Sequence, residues 1–218
     1  RAVDVANQLQ LASGQSYASE VAHFMVEISS QHHCDGDDAK AIDWLRKSLN
    51  VDPQAPRPRI ALGQVLKSQG RYLEAIHELT QLELESSSFI GLVSDALIEC
   101  HDKLGTKNQC LDKFKKLIDL SSSHDLLVKT FEMSMELEGQ VTACDLARKF
   151  LKTTTDVGWA IPILESIKND IAEASTADVD LLIEMAKQYR QEEAYICDSC
   201  GFLAHAHYWR CPACRQWD

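Results

Sequence analysis

Proline and glycine are scarce in this chain, five and nine among 218 residues. That scarcity suits long helices joined by short turns. Missing, too, is any run of about 18 apolar residues, so no segment reads as a membrane span. No secretory signal pattern opens the sequence. Positive charge is in deficit: the formal net charge is −11. Phosphate binding relies on a basic footprint, so the charge argues against DNA or RNA as a main partner. The sequence lacks a glycine-rich phosphate loop, a GxSxG elbow and an HExxH helix, which removes the common enzyme signatures. It begins at Arg1, and the expectation is a piece of a longer protein that would carry further repeats or an N-terminal anchor.

What is present is apolar residues at 45%, enough for a sizeable core, and a helical repeat. Leu62-Gly63, Gly70, Tyr72 and Ala75 fall at tetratricopeptide (TPR) spacing. Gly63 would let two helices approach closely. Gly70 would supply a positive-φ turn, and Ala75 would be small where the second helix packs on the first. The frame recurs at Gly36 and Ala41, at Gly105 and Cys110, and at Gly139 and Cys144, with steps of 34, 35 and 34 residues between glycines. Pro53 closes the first unit. The expected units are about 20–54, 56–89, 91–124 and 125–155. Residues 1–14 read as half of an earlier unit. Trp159–Ile171 and Asp178–Tyr189 read as a degenerate pair capping the solenoid. The fold class is therefore all-α, a TPR-type solenoid over residues 1–190 with a small module over 191–218.

Of eight cysteines, four sit singly in helical patterns. Cys110 and Cys144 take the small-residue slot of Ala41 and Ala75, and Cys34 and Cys100 are read in the same way, as small hydrophobes. The other four, Cys197, Cys200, Cys211 and Cys214, form two Cys-x-x-Cys pairs separated by ten residues. A two-residue gap lets both thiolates of a pair reach one ion from a tight turn, and two such turns supply a tetrahedral sulfur shell. Gly201 tolerates the left-handed backbone of the first turn, and Pro212 stiffens the second. The expected ion is zinc or a single iron. His205 and His207 lie between the pairs and read as loop or surface residues. Splitting the cysteines this way favours a reducing compartment over disulfides.

A segment this short cannot build its own core and leans on metal and packing. Tyr195, Phe202, Tyr208, Trp209 and Trp217 are dense aromatics for so short a stretch. They either form a small internal core or dock the module, and Phe202, Tyr208 and Trp209 above all are expected to dock it onto the helical body near Asp178–Tyr189. Stacked first helices of TPR units line a concave surface, which makes Arg57, Gln64, Lys67, Lys129 and Glu136 candidates for a partner groove. The plain alternative for each is a solvated face. Gln31-His32-His33-Cys34 reads as an ordinary polar helix end.

Cys197-Asp-Ser-Cys200-Gly201-Phe202 with Tyr208-Trp209-Arg-Cys211-Pro212-Ala-Cys214, following a TPR array, resembles the lipopolysaccharide assembly protein B family. Val21-Ala-His23-Phe24 and the repeat from Ile60 to Ile76 resemble it more loosely. The resemblance covers most of the chain and implies the C-terminal half of such a protein. It implies a non-catalytic adaptor on the cytoplasmic side of the bacterial inner membrane, this part itself soluble. Such adaptors promote proteolysis of the deacetylase LpxC by the membrane protease FtsH and contact a membrane-embedded lipopolysaccharide sensor. It also implies a rubredoxin-like module with iron as the metal. Two other readings of the motif are a rubredoxin-type electron carrier and a zinc ribbon that binds nucleic acid. Against the latter, only Arg210 and Arg215 are basic near the ligands, facing Asp198 and Asp218.

Overall fold

The computed structural model describes residues 17–82, 89–118, 124–151, 195–204 and 207–217, with Ile161, Glu165 and Ile183 as single helical positions. The expected helix over 1–14 and, apart from those three positions, the expected capping pair lie outside the described residues. The chain forms two compact units, Arg1–Cys110 with Trp209–Asp218, and Leu111–Tyr208.

Helices come in consecutive pairs: α1 (Ala18–Cys34) and α2 (Asp38–Val51), α3 (Pro56–Ser68) and α4 (Tyr72–Thr80), α5 (Ile90–Lys103) and α6 (Lys107–Leu117), α7 (His124–Glu138) and α8 (Gln140–Leu151). The sequence-read TPR pattern is this architecture. Local chemistry sets the ends. Asp37 caps α2 by accepting from the Lys40 N–H at 3.1 Å, satisfying one of the first-turn donors. Pro56 opens α3, where a missing N–H costs nothing.

Each turn within a pair holds its glycine at positive φ: +79° at Gly36, +73° at Gly70, +67° at Gly105 and +89° at Gly139. In the first three, the residue after glycine donates five residues back: Asp37 to His32, Arg71 to Leu66, Thr106 to His101. This is the Schellman arrangement, which satisfies orphan carbonyls at a helix end. The carbonyls of Asp37, Arg71 and Thr106 then accept from Ala41, Ala75 and Cys110, and those three residues are fully buried.

The fourth turn is one residue shorter. Gly139 itself donates five back, to Ser134 at 3.1 Å, and its carbonyl accepts from Ala143 at 3.2 Å. Ala143 is therefore the buried residue, and Cys144 is only half-buried. Counting from the glycine misplaces the small slot by one position. A second correction concerns Cys34, which is exposed and fills no core. Cys100 is buried, and burial pushes its thiol up from the usual range, so it is an inert packing element.

The first unit packs Val26, Ile42, Leu45, Leu62, Val65, Leu66, Ala75 and Cys100 into one core. A Cβ on Gly63 would stand 2.5 Å from Leu79 Cδ2, so glycine there sets the closeness of α3 and α4. Two buried hydroxyls tie α1 to α2: Ser29 Oγ donates to the Ala41 carbonyl and Ser48 Oγ to that of Ala22, both at 2.9 Å. In the second unit Leu111, Phe114, Leu126, Phe131, Met133 and Ala143 are buried. There Lys115 Nζ reaches both carboxylate oxygens of Glu138, at 2.5 and 2.6 Å.

Candidate metal centre

The C-terminal segment carries a two-stranded antiparallel sheet, β1 (Tyr195–Ile196) with β2 (Leu203–Ala204), Tyr195 opposite Ala204 and Ile196 opposite Leu203. Between the strands lies the first knuckle. The Cys197 N–H donates to the Phe202 carbonyl at 2.9 Å, and the Gly201 N–H to the Cys197 carbonyl at 2.8 Å. A second knuckle repeats this wiring. The Cys211 N–H donates to the Gln216 carbonyl and the Arg215 N–H to the Cys211 carbonyl, both at 2.8 Å. The residue after the second cysteine has positive φ in both, +71° at Gly201 and +63° at Arg215. Glycine takes that conformation without strain, whereas arginine does not.

These two turns bring the sulfurs of Cys197, Cys200, Cys211 and Cys214 within 4.8 Å of one another. A tetrahedral site with metal–sulfur bonds of about 2.3 Å has sulfurs about 3.8 Å apart, so small χ1 adjustments close this set around one ion. Four sulfur donors suit a soft or borderline ion, zinc or iron, over magnesium or calcium. The donor set and spacing fit the group that the motif implies. Cys211 is buried, Cys197 half-buried, and Cys200 and Cys214 are exposed. His207 stacks edge-on with Tyr195, ring centroids 5.3 Å apart. His205 lies outside the described residues.

Two tryptophans hold the second knuckle. Trp209 stacks on Phe89, just before α5, with centroids 5.4 Å apart and planes 15° off parallel. Trp217 stacks on His23 of α1 at 4.6 Å and meets the edge of Phe24 at 6.0 Å. The Arg57 guanidinium carbon lies 5.0 Å from the Trp217 centroid and that of Arg210 lies 5.3 Å away, both within cation–π range. Arg210 and Trp217 also form a backbone bridge. Of the aromatics singled out in the sequence, Phe202 and Tyr208 are exposed, and Trp209 makes the stack with Phe89.

The groove candidates are already engaged to different degrees. Arg57 on α3 is 13% exposed and ion-paired with Glu27 of α1. Lys67, also on α3, pairs with Glu99 of α5. Gln64 and Glu136 are exposed. Lys129 stands 3.8 Å from Glu132 on its own helix.

Residues 195–218 match a family model described as a rubredoxin metal binding domain. Over the whole chain, the protein is 22% identical across 219 residues to lipopolysaccharide assembly protein B of Escherichia coli K12, covering 56% of that relative. It is 24% identical across 226 residues to lipopolysaccharide assembly protein B of Haemophilus influenzae, covering 55% of it. The chain resembles lipopolysaccharide assembly protein B from end to end. It spans about half the length of these curated relatives.

Trp217 is among the five rings that the sequence marks in this segment, but not among the three expected to dock it. The family model extends over Trp217, whereas the paired-cysteine motif itself stops at Cys214. The available signal was the density of rings in the segment, which does not say what each ring meets. Among the described residues no helix is long and apolar enough to cross a membrane.

Proposed function

We propose that this chain is a non-catalytic adaptor in lipopolysaccharide assembly, with a repeat body over residues 1–190 that binds proteins and a metal module over 191–218. The observation that carries this reading is the joining of a helix-pair array to a four-thiol knuckle pair, in a chain similar throughout to lipopolysaccharide assembly protein B. In the finer reading, the adaptor promotes FtsH-mediated proteolysis of the deacetylase LpxC and contacts a membrane-embedded lipopolysaccharide sensor. It works on the cytoplasmic face of the inner membrane, with iron as the family-like metal. Cys197, Cys200, Cys211 and Cys214 would hold the ion, which supplies a structural cross-link between two turns too short to persist unaided. Arg57, Gln64, Lys67, Lys129 and Glu136 would contribute to the partner face, and Phe202, Tyr208 and Trp209 to docking of the module.

The test is made in the full-length protein in its own cells. The half-life of LpxC is followed by immunoblot after translation is stopped, and FtsH is sought in pulldowns. The expected result is a longer LpxC lifetime when the protein is depleted and when Cys197 and Cys211 are both replaced by serine. An unchanged lifetime on depletion overturns the proteolysis role. Unchanged turnover in the cysteine variant alone separates the metal module from that role.

A further inference from the structure

The two knuckles share one hydrogen-bond scheme and differ in what surrounds them. In the second, Cys211 is 6% exposed, and the turn is bracketed by Trp209 on Phe89 and Trp217 on His23 and Phe24. Arg210 Nε donates to the Arg215 carbonyl at 3.1 Å, fixing the peptide that follows the strained residue. A non-glycine residue keeps positive φ only where its surroundings over-determine it, and Arg215 does so at +63°. In the first knuckle the flanking strands are two residues each, too short to persist alone. Ile196 and Leu203, opposite each other, are 63% and 62% exposed. Gly201 occupies the positive-φ position, so many conformations open to that turn once nothing holds it.

We propose that the four-cysteine site is built of unequal halves: the Cys211–Cys214 knuckle is preorganised by the protein's own rings, and the Cys197–Cys200 knuckle takes its form only when an ion is bound. This rests on the metal reading above. An incoming ion meets the second pair first, already aligned, and the first pair then wraps onto it. On loss of the ion the Trp217 anchor stays in place and the exposed hairpin loses order. The metal-responsive element is then the apolar surface of Ile196, Phe202 and Leu203. That is an order–disorder transition confined to one short segment.

The test is amide hydrogen exchange by NMR on the full chain, first loaded with zinc and then stripped with a chelator. It compares equivalent amides, Cys197 and Gly201 against Cys211 and Arg215, after correction for intrinsic rates. With zinc both pairs exchange slowly. Without it, Cys211 and Arg215 are expected to stay at least about ten-fold slower than Cys197 and Gly201, equivalent to about 1.4 kcal/mol of local stability. Trp217→Ala is expected to abolish that difference in the stripped protein, and zinc to restore slow exchange at all four amides. Zinc uptake with equal exchange in the two stripped knuckles overturns the inference. So does a difference that Trp217→Ala leaves intact while helical circular dichroism is unchanged. A protein that takes up no zinc by elemental analysis overturns the metal reading itself, and this inference with it.

Discussion

Trp217 lies flat against His23, their ring centroids 4.6 Å apart and their planes within 6°. His23 is buried, and its Nδ1 faces Arg57 Nη1 at 3.4 Å. A guanidinium only donates, so Nδ1 is the acceptor in this contact. The end of the described chain is thereby fastened to α1 by stacking, and to α3 through Arg57.

Removing that ring is the first prediction. Trp217→Ala should lower stability of the metal-loaded protein by about 2 kcal/mol, less than for a fully buried tryptophan because Trp217 is half-exposed. Trp217→Phe should cost less, since a ring can still stack. Urea midpoints at constant slope are the measure. A midpoint unmoved by Trp217→Ala would deny the anchor.

The second concerns ligation. Cys211→Ser should reduce bound metal from one ion per chain to near none, read by elemental analysis. Far-ultraviolet circular dichroism should keep most of its helical signal, because the helix pairs close their own cores around Leu45, Leu66 and Phe114.

The third uses the two positive-φ residues. A Cβ on Gly201 would meet nothing within 4 Å, so Gly201→Ala exacts only backbone strain, about 1 kcal/mol, or roughly five-fold weaker metal binding. Arg215→Gly relieves strain but frees the unfolded chain, for a net gain of about 0.5 kcal/mol. Chelator competition gives both numbers. Equal effects of the same sign would mean the two turns do not differ as described.

The fourth is a pH dependence. The Lys115 ammonium hydrogen-bonded to Glu138 holds its carboxyl below the usual range, and Ser134 Oγ adds a hydrogen bond at 2.8 Å. A depressed carboxylate contributes stability above its unfolded pKa, about 4.3, and loses it as pH falls through the lower folded value. Glu138→Gln should therefore lower stability near neutrality by about 0.5 kcal/mol, since the pair is partly solvated. The difference from the parent should begin to shrink below the unfolded value of about 4.3 and vanish once pH is below the lowered folded value. Denaturation of both proteins across pH 3–7 (roughly the span of carboxylate titration) checks it.

The fifth separates partner binding from packing on α3. Lys67→Glu sets a carboxylate beside Glu99 and should lower the melting temperature, about 0.5 kcal/mol in stability. Gln64 is exposed, so Gln64→Arg should leave the melting temperature alone. If α3 faces a partner, that variant alone weakens its co-purification. Retained binding with Gln64→Arg removes this face from the groove.

The paired helices were legible because their turns are chemical. Gly36, Gly70 and Gly105 stand where only positive φ serves, and Ala41, Ala75 and Cys110 follow at the wall between helices. The four cysteines were legible because a two-residue gap has one use at this density. Which aromatics are covered was not, since a list of rings carries no direction. Phe202, which follows the first turn, and Tyr208, which precedes the second, are exposed, whereas Trp217, past the last cysteine, meets residues almost two hundred positions earlier. Long-range stacking of that kind leaves no periodic trace.

The short turn at Gly139 bears on how such an array keeps phase. The wall residue is counted from the carbonyl that opens the second helix, as Ala143 is counted from Gly139 and Ala75 from Arg71. A residue inserted or deleted between glycine and that carbonyl changes the loop and leaves the interior untouched. A turn of either length therefore leaves the buried face in phase, and this chain's units aligned on their glycines fall out of step by one position at Gly139. Alignment on the opening carbonyl keeps phase, and a designed array spliced at that point would accept a turn of either length.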